Sequence, residues 1–340
     1  MILEALKNNV SKISLGLLVS GCCIFLLFKI TNDYSEILEI ITSIQFEYAF
    51  YGLALYLLSL VVRTIRWNTI IKKEISVRFF LLFRVVTSGY MFNNLLPVRL
   101  GEVARVFHLN LVKKTNKFFI LGTIFTERIS DVVALIIFLA CSLFILPDNY
   151  FYSFATKSGV PEIALVSLLI LLILASFIFI SLTISGYWKI LLNKVMSTRF
   201  LGHHFKKMNF YTYLDDFLSG TFVLKKRVEL SKVLFLAILV WALEFAMFFV
   251  VASQFEFQIN NTFVAVLLFG VFANLGGILP STAGGWGPFE LIGSVVLISF
   301  GVPENIAVGY TIFVHLILWL PVSIIGIFLF LWDFMIKGNR

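Results

Sequence analysis

Charge is scarce in this sequence. Only 14% of its 340 residues are Asp, Glu, Lys or Arg, while 60% are hydrophobic. A soluble domain carries about 25% charged residues, so a water-facing globular surface is excluded. Cysteine is rarer still, and Cys22, Cys23 and Cys141 all fall in apolar runs. That placement argues against a disulfide framework or a cysteine metal site. His203 and His204 stand in a basic stretch without cysteine or acidic partners, which argues against zinc. Asp215 and Asp216 lack a second acidic cluster at metal-binding spacing. No metal or other cofactor is expected. Basic stretches interleaved with stacking aromatics are also missing, so nucleic acid is not an expected partner.

What the chain has is apolar length. Its mean hydropathy is +0.97, and apolar runs of about 20 residues, enough to cross the hydrocarbon core, recur along it. The runs are continuous rather than alternating, which excludes a β-barrel. The fold class read from these features is an all-α polytopic membrane protein, one integral-membrane domain over residues 1–340. The motif "VSGC", Val19 to Cys22, has the form of a lipoprotein cleavage box. The apolar run continues beyond it through "CIFLLF", so an uncleaved first helix is expected.

The net charge of +8 reports topology and contact with an anionic membrane surface, because Lys and Arg gather on cytoplasmic loops. Six full spans are expected at 13–28, 46–62, 118–146, 163–184, 233–252 and 307–331. Lys7 and Lys12 put the N-terminus in the cytoplasm, and Lys337 and Arg340 do the same for the C-terminus. Arg63, Arg66, Lys72, Lys73 and Arg78 read as a cytoplasmic loop. The apolar stretch 79–96 is then basic on both sides, since Arg99, Arg105, Lys113, Lys114 and Lys117 follow it. It is expected to enter from the cytoplasm and return there as a re-entrant hairpin. A short amphipathic helix is expected at 211–224, on the membrane surface.

The second half repeats this order upside down. Residues 263–279 are apolar, broken by "PSTAGGWGP", and resume at 289–300 between flanks without Lys or Arg. Pro97, Gly101 and Glu102 at the first break find an echo in Pro280, Gly287 and Glu290 at the second. Inverted halves, 1–146 and 163–332, are expected, each holding three spans and one re-entrant hairpin. Two ordinary short spans in 263–300 are the alternative. Interrupted helices in matching positions of two halves point to a transport site near the bilayer midplane.

Ionisable residues at membrane depth cost about 3 kcal/mol each, and they persist where they pair or face a wet cavity. At the first break stand Asn94, Arg99, Glu102 and Arg105, with Glu102 three residues from each arginine. If the segment after Pro97 is helical, all three charges share a face and leave positive charge in surplus. A guanidinium fork suits a phosphate. In "TERISD", Glu127 and Asp131 are one turn apart beside Arg128, placed to close the cavity against the first break or only to hold the hairpin to the span. Glu244 is a further intramembrane acid. Glu290 is the ionisable group of the second break. It fits a bound cation or proton, an arginine of the other half, or a helix-start carboxylate facing the dipole. His315 reads as a hydrogen-bonded core histidine. Gly284, Gly285 and Gly287 allow a bend or close backbone approach there.

These residues carry a resemblance. The chain resembles the lysylphosphatidylglycerol synthase transmembrane-domain family, the flippase-like membrane region of multiple peptide resistance factors and of stand-alone relatives. Pro97, Arg99, Gly101, Glu102 and Arg105 match one family pattern; Glu127, Arg128 and Asp131 match a second. Pro280, Gly284, Gly285, Gly287 and Glu290 match a third. Val98, where a glycine is common, and Trp286 and Pro288 within the glycine turn are departures. The resemblance implies a prokaryotic cytoplasmic-membrane protein that moves or handles polar lipids. Two-domain members add a soluble aminoacyl transferase, which this chain, ending just past its last span, is not expected to include.

The expected function is therefore translocation of a polar lipid with an anionic headgroup, with no catalytic residue. Transport of a small anionic solute is the runner-up. An enzymatic or accessory role in lipid or polyprenyl-glycolipid modification is the third reading. The expected partners are a phospholipid or other polar lipid, a separate lipid-modifying synthase or glycosyltransferase, and a second copy of the chain.

Overall fold

The computed structural model describes residues 10–31, 34–72, 74–96, 100–146, 210–221, 226–277 and 282–338. Pro97, Val98, Arg99, Pro280, His203, His204 and the expected span 163–184 lie outside the described residues. The described chain is helical, with no strand among those residues. In order the helices are α1 (Val10–Ile30), α2 (Tyr34–Thr42), α3 (Phe46–Ile71), α4 (Phe79–Leu95), α5 (Gly101–Lys113) and α6 (Lys117–Ile145). They continue as α7 (Phe210–Gly220), α8 (Arg227–Ala252), α9 (Thr262–Gly276), α10 (Pro288–Ser299) and α11 (Glu304–Gly338). Without water in the hydrocarbon core, backbone groups must bond within their own segment, and apolar runs satisfy this as helices.

Among the described residues four helices, α3, α6, α8 and α11, are long and apolar enough to cross a membrane. The count is five if α1 and α2, bent by 95° from one another, form one span. The protein is therefore multi-pass. The shorter helices α4, α5, α9 and α10 surround two interruptions in the chain. α4 stops at Leu95, and α5 starts at Gly101, whose N–H donates to the Asn93 side chain at 2.7 Å. α5 ends on Lys114, which takes the left-handed conformation at φ 51°. α9 stops at Gly276, a 3-10 turn spans Ala283–Gly285, and Pro288 opens α10, the first-turn position where a missing N–H costs nothing.

One expectation needs correction. The second span does not stop at residue 62 with a basic loop behind it. α3 continues to Ile71 with Arg63 5% and Arg66 0% exposed. No helix breaker interrupts it, and carboxylates on other helices pair with both guanidinium groups. The expected surface helix at 211–224 is found at Phe210–Gly220, packed on the start of α6. Asn116 there donates to Asp216 at 2.5 Å.

Two apolar clusters hold the bundle. One gathers Trp67, Ile71, Leu82, Val86, Val106 and Ile120 of α3 to α6. The larger gathers residues of α6 and α8 to α11, including an aromatic chain through Phe245, Phe248, Phe269 and Tyr310. Along α6, Ile120 and Ile124 belong to the first cluster and Ala134, Leu135 and Leu139 to the second. Glu127, Arg128 and Asp131 fall between them. The charged residues thus sit at the seam of two cores.

The packing pairs follow a pattern. α3 packs on α8; α4 on α11 and α9 on α6. α4 packs on α5 and α9 on α10, while α5 touches α6 and α10 touches α11. These pairings of the helices of residues 46–145 thus have counterparts among the helices of residues 227–338.

Candidate functional site

The site grows from four helices, α3, α5, α6 and α8, that meet at the seam. Arg63 and Arg66, three residues apart on α3, point the same way, as do Glu127 and Asp131, one turn apart on α6. Arg66 Nη1 donates to Asp131 Oδ1 at 2.6 Å, and its Nη2 lies 3.3 Å from Glu127 Oε1. Glu127 also receives a fork from Arg105 of α5, at 2.7 and 3.4 Å. Arg63 Nη2 donates to Glu244 of α8 at 2.5 Å. Ser59 donates to the same carboxylate at 3.2 Å, and Trp241 donates to Asp131 at 3.2 Å. The Arg105 guanidinium stacks over Trp67, 4.1 Å from the ring centre.

Arg128 differs from the other three arginines. Its contacts to Glu102, Asp131 and Glu127 measure 3.4, 3.4 and 3.8 Å, and 37% of its side chain is exposed. The Arg63, Arg66 and Arg105 side chains are 0–6% exposed. The cluster therefore holds four arginines against Glu102, Glu127, Asp131 and Glu244, a balance that permits burial. Three of its arginines are committed to short bonds; the fourth is loosely held at an open wall.

That wall bounds a cavity of about 400 Å³, within the size range of small-ligand sites. Arg63, Glu102, Arg128, Asp131 and Glu244 line one side. Asn93 and Asn94 of the first break, Gly277 and Gly284 of the second, and His315 and Trp319 line the other. The cavity thus lies between the two interruptions of the chain.

Of the residues the sequence points to, Asn94, Glu102, Arg128, Asp131, Glu244 and Gly284 reach the cavity wall. Arg105 does not; it lies behind that wall against Glu127. Glu102 faces Arg128 of α6 rather than Arg105 of its own helix. Gly101 serves close packing, because a Cβ there would run into the Gly89 carbonyl and the Asn93 side chain. Arg99, Pro97 and Pro280 lie outside the described residues.

At the second break the backbone itself is unusual. Gly284, Gly285 and Gly287 take φ values of 80°, 87° and 101°, conformations that glycine alone adopts freely. Glu290 accepts the Gly287 N–H at 2.7 Å, the helix-start position. Glu290 also meets His315 Nδ1 of α11, whose Nε2 lies 3.0 Å from the Gly284 carbonyl oxygen. The Trp286 ring stacks on the imidazole at 4.4 Å. Ser20 of α1 accepts from the Thr282 N–H at 2.9 Å and donates to the Trp286 carbonyl at 2.7 Å.

One face of α11 touches both breaks. His315 holds the second. One turn on, Trp319 donates to the Asn94 carbonyl at 3.1 Å and accepts from the Asn94 side chain at 3.1 Å. After a further turn, Ser323 also accepts from Asn94, at 3.1 Å. A second, apolar groove of about 310 Å³ opens between α1, α2 and α11 and ends at Trp286, Gly287 and Glu290.

Sequence reasoning missed Arg63 and Arg66 as site residues; His315 is the hydrogen-bonded core histidine expected, but its partner Glu290 was not foreseen. The three-residue spacing of the arginines on an unbroken helix pattern was the signal available for the first two. For His315 the only hint was that a buried Glu290 needs a partner.

Comparison with known proteins places the chain among membrane proteins. The family model described as the lysylphosphatidylglycerol synthase TM region matches residues 13–326. A UPF0104 membrane protein of Methanocaldococcus jannaschii is 21% identical over 328 residues, covering 94% of this chain and 95% of its own length. A UPF0104 membrane protein of Pyrococcus horikoshii is 22% identical over 326 residues, covering 92% and 95%. The chain belongs to the lysylphosphatidylglycerol synthase transmembrane family.

Proposed function

We propose that this member of the lysylphosphatidylglycerol synthase transmembrane family moves a polar lipid with an anionic, phosphate-bearing headgroup between the leaflets of a prokaryotic cytoplasmic membrane. The headgroup enters the cavity between the two breaks, and the acyl chains stay in lipid beside the interrupted helices. In this reading α4–α5 and α9–α10 are re-entrant hairpins of two inverted halves, and both termini are cytoplasmic. The recurrence of the same packing pairs in 46–145 and 227–338 supports the repeat. Rocking one half against the other then exposes the cavity to each side in turn.

The observation that carries the proposal is Arg128. A translocation site needs a cation that can trade a protein carboxylate for a phosphate and back at small cost. Arg128, half-open and held by contacts of 3.4 Å and longer, fits that role. Glu102 is the carboxylate that takes it back when the headgroup leaves. Arg63, Arg66 and Arg105 are spent on short buried bonds and act as the frame.

Reconstitution of the pure protein in vesicles, with a fluorescent anionic phospholipid followed between leaflets, tests the reading. Movement by the wild type is expected, slowed about 10- to 100-fold in Arg128→Ala and less in Glu102→Gln. Absence of movement for every anionic lipid tried, or full movement by Arg128→Ala, would overturn it.

A further inference from the structure

The His315–Glu290 pair separates two spaces. His315 lines the inner cavity, and Glu290 lines the apolar groove on the other side of the second break. The pair is buried, at 5% and 2% exposure. Its hydrogen-bond partners restrict how many protons it can hold. The Gly284 carbonyl only accepts, so Nε2 of His315 must carry a hydrogen to bond it. With that hydrogen fixed, Nδ1 faces Glu290 in one of two ways. An imidazolium donates from Nδ1 to an ionised carboxylate, or a protonated carboxyl donates to a bare Nδ1. Both arrangements contain the same number of protons.

A pair with one proton fewer cannot keep both bonds. A neutral imidazole has one N–H for two acceptors. The charge-assisted bond to Glu290 is the stronger, so Nδ1 keeps the hydrogen. The Nε2 lone pair then points at the Gly284 carbonyl oxygen, and the two repel. The 3-10 turn at Ala283–Gly285 is released from α11. Glu290 stays in place, because the Gly287 N–H still holds it.

We propose that Glu290 and His315 form a proton-binding site whose occupancy fastens the second break to α11 and whose emptying opens the partition between cavity and groove. The bound ligand is a single proton. It leaves from His315 towards the polar cavity, since the groove beyond Glu290 is walled by Leu27, Ile37 and Ile312. The other titratable groups around the pair are few. On α1, Cys23 sits at the Gly287 turn, and on α2 the Tyr34 hydroxyl donates to the Phe28 carbonyl. Across the cavity, Arg63 of α3 is bonded to Glu244 of α8, and Arg128 and Asp131 of α6 and Glu102 of α5 pair among themselves. Tyr56 of α3 and Tyr90 of α4 line the same cavity, while α9 contributes the uncharged Asn274. This inference stands whatever the cavity carries.

The test is amide hydrogen exchange of the full chain in lipid vesicles, reading protection of residues 282–287 corrected for intrinsic exchange. The scan runs from acid to alkaline pH across the range in which the protein stays folded. Wild-type protection is expected to fall about tenfold towards the alkaline end, the effect of losing one hydrogen bond. Glu290→Gln imitates the protonated carboxyl, donating its amide to Nδ1, and should stay protected throughout. His315→Phe makes neither bond and should be unprotected throughout. Protection that is flat with pH in the wild type, or a switch that persists in Glu290→Gln, overturns the proposal. Those two proteins decide the matter even if His315→Phe does not fold.

Discussion

At the first break, Glu102 and Arg105 stand on α5 and meet Arg128 and Glu127 on α6, within a cluster of four arginines and four carboxylates. At the second break a single carboxylate, Glu290, meets a single histidine. An arginine keeps its proton at any working pH, so the first cluster changes only when something displaces one of its carboxylates. A histidine pair changes when a proton leaves. Under the two proposals above, the ends of the cavity answer to different chemistry: an anion at one, a proton at the other. Both are tied to α11, so movement at either is felt by the same helix.

The largest effect is expected at Glu127. This carboxylate has no exposed surface and bridges Arg66 and Arg105. Replacing Glu127 with Ala leaves two buried guanidinium groups short of charge, and a loss of about 3–5 kcal/mol is expected. Thermal unfolding in detergent or vesicles checks it. Glu290→Ala, by contrast, leaves a histidine that can stay neutral, so a smaller loss of about 1–3 kcal/mol is expected. Equal losses at the two positions would show that the second pair is as permanently charged as the first.

Arg128 sharpens the contrast within the first cluster. Arg128→Ala should cost below about 1 kcal/mol of stability, since its pairs are long and partly solvated. The same change should lower the rate of headgroup movement about 10- to 100-fold, the worth of a hydrogen bond to a charged group. Arg66→Ala should do the reverse, lowering stability by about 3–5 kcal/mol before any rate can be compared. If Arg128→Ala unfolds the protein as readily as Arg66→Ala, Arg128 belongs to the frame.

Much of this arrangement is legible in the sequence. The apolar runs place α1, α3, α6, α8 and α11, and proline with glycine marks where α4 and α9 must stop. Arg63 and Arg66 were not legible, because counting charges beside an apolar run assigns them to a loop. Their burial depends on Glu127, Asp131 and Glu244, which lie 61 to 181 residues away and approach only when α3 packs on α6 and α8. Arg105 misleads for the same reason, since its neighbour in sequence is Glu102 but its partner in space is Glu127. The partnership of Glu290 with His315 likewise requires α10 to fold against α11. Local spacing reports which face a charge occupies; it is silent on which helix arrives there.

The backbone of the two breaks gives the finest distinction. At the first, Asn93 caps α5 by accepting the Gly101 N–H at 2.7 Å. Asn93→Ala removes that cap at a cost of about 1 kcal/mol. At the second, Gly284 sits at φ 80°, and a Cβ there would run into the Trp319 indole. The conformation alone costs an alanine about 1–2 kcal/mol, and the crowding falls on the side chain that bonds Asn94. Gly284→Ala should therefore loosen both ends of the cavity, whereas Asn93→Ala should loosen only the first. Amide exchange read at 101–105 and at 283–290 separates the cases. Faster exchange at both segments in Gly284→Ala, and at the first alone in Asn93→Ala, is the expected pattern. Effects confined to its own break in each variant would mean that Trp319 does not carry strain from one break to the other.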